Sequence, residues 1–125
     1  MKREGKQMGY ESKLYIVEKT DCFMVNEKRY ARVIATYDMC KFNAFDDIFQ
    51  EETDCYIYTD DGNTEIFKDR YNKPLTEASI TTIIEYLENY KNSKEYYRRI
   101  NPLLGLLKGF DCSGWNNLTV LHYGH

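Results

Sequence analysis

The sequence predicts an α+β domain: an antiparallel sheet of about five strands, with two to three helices of the C-terminal half packed on one face. Three observations carry this prediction. Residues 13–68 hold runs of β-branched and aromatic residues separated by turn residues, and residues 74–110 hold apolar residues at helical spacing. A third apolar run, Leu118 to Tyr123, closes the chain, and a strand that follows helices returns to the sheet, often to an inner position.

The first strand is expected over Lys13 to Glu18, where Leu14, Tyr15, Ile16 and Val17 are the branched and aromatic residues that suit a pleated surface. Cys22 to Val25 extends it past a bulge, and Asn26-Glu27-Lys28 reads as a turn. Tyr30 to Tyr37 follows as an antiparallel partner. Its alternation assigns Ala31, Val33, Ala35 and Tyr37 to the core and turns Arg32 and Thr36 outward. Phe42, Phe45, Ile48 and Phe49 recur at a helix-like spacing, which suits a short helix or a packed loop. Cys55 to Thr59 and Thr64 to Lys68 form a second hairpin around Asp60-Asp61-Gly62-Asn63, because Asp-Gly tolerates the positive φ a tight turn requires.

Ile80, Ile83, Ile84 and Leu87 stand at i, i+3, i+4 and i+7 and so share one helix face. Thr76 is the expected N-cap, with Pro74 just before it, and the helix fades over residues 89–92. Tyr96, Ile100, Leu103, Leu104 and Leu107 continue the period, but Pro102 lies among them. A proline inside a helix costs about 3 kcal/mol, so Asn101-Pro102 is read as an N-cap followed by proline at the first helical position. The expectation is a short helix over 94–100, a second over 102–108, and a stop at Gly109.

At 125 residues the chain is expected to be one domain, 9–125, preceded by a flexible extension over 1–8; Met8 is an alternative start. No apolar run approaches the roughly 18 residues a membrane span needs, and Met1 to Met8 is basic and polar without the apolar stretch of a signal peptide. A cytoplasmic location is therefore expected. Cys22, Cys40, Cys55 and Cys112 are far apart with no C-x-x-C pair, the pattern of reduced thiols.

The net charge of −3 argues against direct nucleic-acid binding, which needs a basic surface. That charge is uneven. Asp38 to Glu65 holds nine acids and one base, while residues 1–37 balance to +3 and residues 66–100 to +2. Asp46, Asp47, Glu51, Glu52 and Asp54 crowd the acidic part. They are open to three readings: a solvated negative loop, a mimic of a phosphate backbone presented to a basic protein groove, or a divalent-cation site. Asp60 to Glu65 lacks the alternating spacing of a calcium loop.

Lys91, Lys94, Arg98 and Arg99, interleaved with Tyr90, Tyr96 and Tyr97, make a basic-aromatic patch. It suits a phosphate or a stacked base, or simply a helix with its rings in the core and its charges in water. His122 and His125 are the only histidines, and with Cys112 they fall one ligand short of a zinc site. No phosphate-cradling glycine loop and no nucleophile elbow is present, so no cofactor is expected. Trp115, the single tryptophan, is either a lid over the core or an exposed anchor for a partner.

Both ends of the chain resemble small proteins carried by phages and mobile elements of Gram-positive bacteria. The resemblance runs over Met8-Gly9-Tyr10-Glu11-Ser12-Lys13-Leu14-Tyr15-Ile16-Val17, over Leu103-Leu104-Gly105-Leu106-Leu107-Lys108-Gly109-Phe110, and over Leu121-His122-Tyr123-Gly124-His125. It implies a setting rather than an activity: such proteins are often inhibitors of host defence, for instance anti-CRISPR proteins, and would act in the host cytoplasm. The expected function is thus that of a non-catalytic interaction protein that binds and occludes a nucleic-acid-handling protein partner. The acidic segment would steer it and exposed tyrosines would anchor it; a homo-oligomer is compatible with the sequence. The alternatives are a nucleotide or small-ligand binder using Lys91, Lys94, Tyr97, Arg98 and Arg99, and a metal-dependent hydrolase or nuclease.

Overall fold

A computed structural model describes residues 12–25, 28–40, 42, 45, 48–53, 56–58, 65–66, 75–90, 98–115 and 117–124. The strands are β1 (Ser12–Val25), β2 (Lys28–Cys40), β3 (Glu51–Glu52), β4 (Tyr56–Tyr58), β5 (Glu65–Ile66), β6 (Thr76–Ala78) and β7 (Leu118–Gly124), and the helices are α1 (Ile80–Tyr90) and α2 (Ile100–Asp111). They form one sheet in the order β3-β6-β7-β1-β2-β4-β5. Five of the strands have three residues or more, and β3 and β5 are two-residue pieces. The predicted α+β architecture is present, and β7 returns to an inner position between β6 and β1.

The sheet is antiparallel except where β2 runs parallel to β4. Only residues 53–55 connect β3 to β4, although these strands stand near opposite ends of the order. At about 3.5 Å per residue that link spans at most about 14 Å, so the sheet must curl until its two sides approach. Curling gives the sheet two buried faces, each with its own core. Leu14 and Ile16 of β1 and Val120 of β7 pack under the helices, whereas Tyr15, Val17, Ala31, Ile57, Leu75 and Leu121 gather on the other face.

The period-2 reading of β2 fails at one residue. Ile16 pairs with Ala35 but Val17 pairs with Val33, so Ile34 is an extra residue that shifts the register. Ala35 and Tyr37 therefore join the helix-side core, while Ala31 and Val33 join the opposite one. Phe42, Phe45 and Phe49 form a buried turn, closed by the Phe49 amide on the Phe45 carbonyl at 3.0 Å. Phe42 meets Tyr90 edge-on at 5.2 Å, which docks this turn against α1.

Three helix boundaries differ from expectation. Thr76 lies in β6, and the cap is Ser79, whose Oγ accepts from the Thr82 amide at 3.1 Å. Residues 76–78 pair with β7 instead, so the sheet takes them before the helix can start. Helix α2 begins at Ile100 rather than at Pro102, because a proline in the first turn removes an amide that has no partner inside the helix anyway. It also runs through Gly109 to Asp111, and the left-handed glycine that follows is Gly114, at φ 83°. The helix expected over 94–100 and the turn at 60–63 lie in the main outside the described residues, as do 1–8. No helix is long and apolar enough to cross a membrane among the described residues.

Candidate interaction surface

Helix α2 presents two different faces. Ile100, Leu103, Leu104 and Leu107 are buried against the sheet and α1. Away from them, Gly105 and Gly109 are exposed one turn apart, and a Cβ placed on either would meet nothing within 4 Å. Leu106 and Phe110 flank them half-buried. The missing side chains leave a groove of about 370 Å³ lined by Gly105, Leu106, Gly109, Phe110, Ser113 and Trp115.

The far wall of this groove is the segment between α2 and β7. The Cys112 amide bonds the Lys108 carbonyl at 3.1 Å, and the Ser113 hydroxyl donates to the Phe110 carbonyl at 2.7 Å. Ser113 Oγ in turn accepts from the Trp115 amide at 3.1 Å. The Trp115 ring sits edge-on to Phe110 with centroids 5.9 Å apart. Its Nε1 donates to Glu18 Oε2 at 2.7 Å, while Glu18 Oε1 accepts from Arg32 Nη2 at 2.8 Å. The Lys19 amide adds a bond to the Asn117 carbonyl at 3.1 Å, fixing the loop to β1. Trp115 packs on Phe110 in this way and still leaves 42% of its surface exposed.

The sequence-predicted residues are placed unevenly. Glu51 and Glu52 stand exposed on β3, an edge strand, while Asp46, Asp47 and Asp54 lie outside the described residues. Arg98 is exposed before α2. Arg99 is half-buried, with Nη1 donating to the Asp38 carbonyl at 2.8 Å and its own carbonyl accepting from the Tyr37 hydroxyl at 2.8 Å. Its guanidinium thus holds the end of β2 to the start of α2. Lys91, Lys94 and Tyr97 lie outside the described residues.

His122 and Cys112 do not converge. Cys112 is an exposed free thiol after α2. His122 is buried, stacked on Phe49 with centroids 4.8 Å apart, and its Nε2 bonds Ser12 Oγ at 2.8 Å. Burial pulls the imidazole down to about 4. Among the described residues, no group of three or more His, Cys, Asp or Glu side chains is arranged to hold a metal ion.

Two features of this surface escape a reading of periodicity. The glycines were legible as positions but not as a groove; their spacing of four, on the side of α2 opposite its leucines, was the available signal. Glu18 was not legible at all, because its contact with Trp115 spans 97 positions. Comparison with protein-family models, with curated proteins and with solved structures finds no match to this chain.

Proposed function

We propose that this chain is a non-catalytic interaction protein that docks and occludes a basic, nucleic-acid-handling protein, with Trp115 and its groove as the anchor. The observation that carries the reading is Trp115 itself, a large apolar ring held 42% exposed beside an apolar groove. Tryptophan is among the residues that contribute most at interfaces, since one ring gives a large contact area at small entropic cost. Charge supports the class of partner. The segment 38–65, with eight more acids than bases, would attract a basic surface and disfavour nucleic acid itself. The resemblance to phage and mobile-element proteins supports an inhibitor of host defence, anti-CRISPR proteins being one such kind.

A nucleotide-binding reading has less support, because the Arg99 guanidinium is engaged by the Asp38 carbonyl. The test is capture from a Gram-positive bacterial extract by the wild-type chain and by Trp115→Ala, followed by mass spectrometry. A nucleic-acid-handling protein retained by the wild type and lost by the variant is the expected result. Equal capture by both chains would remove Trp115 from the interface.

A further inference from the structure

We infer that Glu18 is the positioning residue of the Trp115 anchor, holding the indole at the groove before any partner arrives. This rests on the docking reading above but is tested without a partner. Glu18 lies on β1 two positions beyond Ile16, on the helix side of the sheet, and its side chain is only 13% exposed. Both of its carboxylate oxygens are engaged: Oε2 by the indole N–H at 2.7 Å and Oε1 by Arg32 at 2.8 Å. Arg32 is itself aligned by strand pairing, since Arg32 and Glu18 are cross-strand neighbours.

The register shift at Ile34 makes this alignment possible. It lets Ala35 and Arg32, three residues apart on one strand, face the same side. The chain of contacts therefore runs from a strand bulge, through an ion pair, to the orientation of one exposed ring. An anchor fixed in this way loses less side-chain freedom on binding, so more of its contact energy appears as affinity.

Trp115 is the only tryptophan in the chain, so its fluorescence reports this one ring. A hydrogen bond to a charged group is strong enough that losing it lowers the ratio of held to released indole by about tenfold. Glu18→Ala should therefore raise acrylamide quenching and lower the fluorescence anisotropy, with far-UV circular dichroism unchanged. Glu18→Gln should restore much of the wild-type signal, because its amide oxygen still accepts the indole N–H. Wild-type quenching and anisotropy in folded Glu18→Ala would overturn the inference.

A measurement on the wild type covers the case in which the alanine variant does not fold. The indole N–H should exchange with deuterium clearly more slowly than that of a free indole, and exchange at the free rate would overturn the positioning role. Because neither readout needs a partner, their failure leaves the docking reading standing. Equal capture by Trp115→Ala would instead remove docking and leave the positioning role.

Discussion

Ser12 Oγ and His122 Nε2 are 2.8 Å apart, a buried hydrogen bond between the first residue of β1 and the third residue from the end of β7. Neither group can be left unpaired in this environment without a cost of about 1–3 kcal/mol. The bond satisfies both and sets the imidazole against Phe49 and, edge-on at 5.4 Å, against Phe45. The pair therefore ties the ends of two central strands to the aromatic turn that packs on α1. With Ser12 fully buried, the arrangement reads as a structural join rather than a nucleophile and its base.

Acid should loosen that join. The folded-state value of His122 is lowered from 6.5 to about 4, so between these values the unfolded chain binds a proton that the folded chain refuses. The contribution is complete above pH 6.5, falls as pH drops, and is lost by about pH 4. The span corresponds to about 3 kcal/mol. Urea unfolding at pH 7.5 and pH 4.5 should show a larger drop for the wild type than for His122→Gln, and identical drops would contradict the assignment.

Much of the fold was legible because its signals are local. Alternation in residues 13–37 specified the β1–β2 hairpin, and the isoleucine and leucine spacing specified the buried faces of α1 and α2. What failed depends on neighbours distant in sequence. Thr76 has a fair capping side chain, but pairing with His122 on β7 claims it for the sheet. Ile34 looks like any strand residue, yet register with β1 makes it a bulge that divides one apparent core face into two. Trp115 was left between lid and anchor because a loop residue's exposure is decided by what lies opposite it. Here that is Glu18 of β1, itself paired with Arg32 of β2.

Gly105 and Gly109 should show stability and binding in opposition. A glycine inside a helix costs up to about 1 kcal/mol relative to alanine, and a Cβ at either position meets open space. Gly105→Ala and Gly109→Ala should each raise the melting temperature while narrowing the groove and weakening partner capture. A fall in melting temperature for either variant would contradict the reading of these positions as open.

Ser79 and Leu107 separate local from global support. Ser79→Ala removes the side-chain cap on the Thr82 amide and should cost about 1 kcal/mol. Leu107→Ala empties a fully buried position between helix and sheet and should cost about 2–5 kcal/mol. Chemical denaturation of the two variants should give that order; a larger loss for the cap than for the core would contradict it.

Charge reversal tests the steering half of the proposal. Lysine at Asp46, Asp47, Glu51 and Glu52 together should slow association with a basic partner and flatten its dependence on salt, with dissociation changed less. Stopped-flow association at low and high ionic strength reads this directly. Salt dependence equal to that of the wild type would show that the acidic segment takes no part.

Docking of a partner in the groove beside Trp115 should be blocked by Gly109→Leu, which fills the groove with a good helix former at an exposed position. The measurement is the dissociation constant of the captured partner for the wild type and for this variant, by isothermal titration. Affinity should be at least about tenfold weaker for Gly109→Leu, the loss expected when one central contact is blocked, with no fall in melting temperature. An unchanged dissociation constant would contradict it.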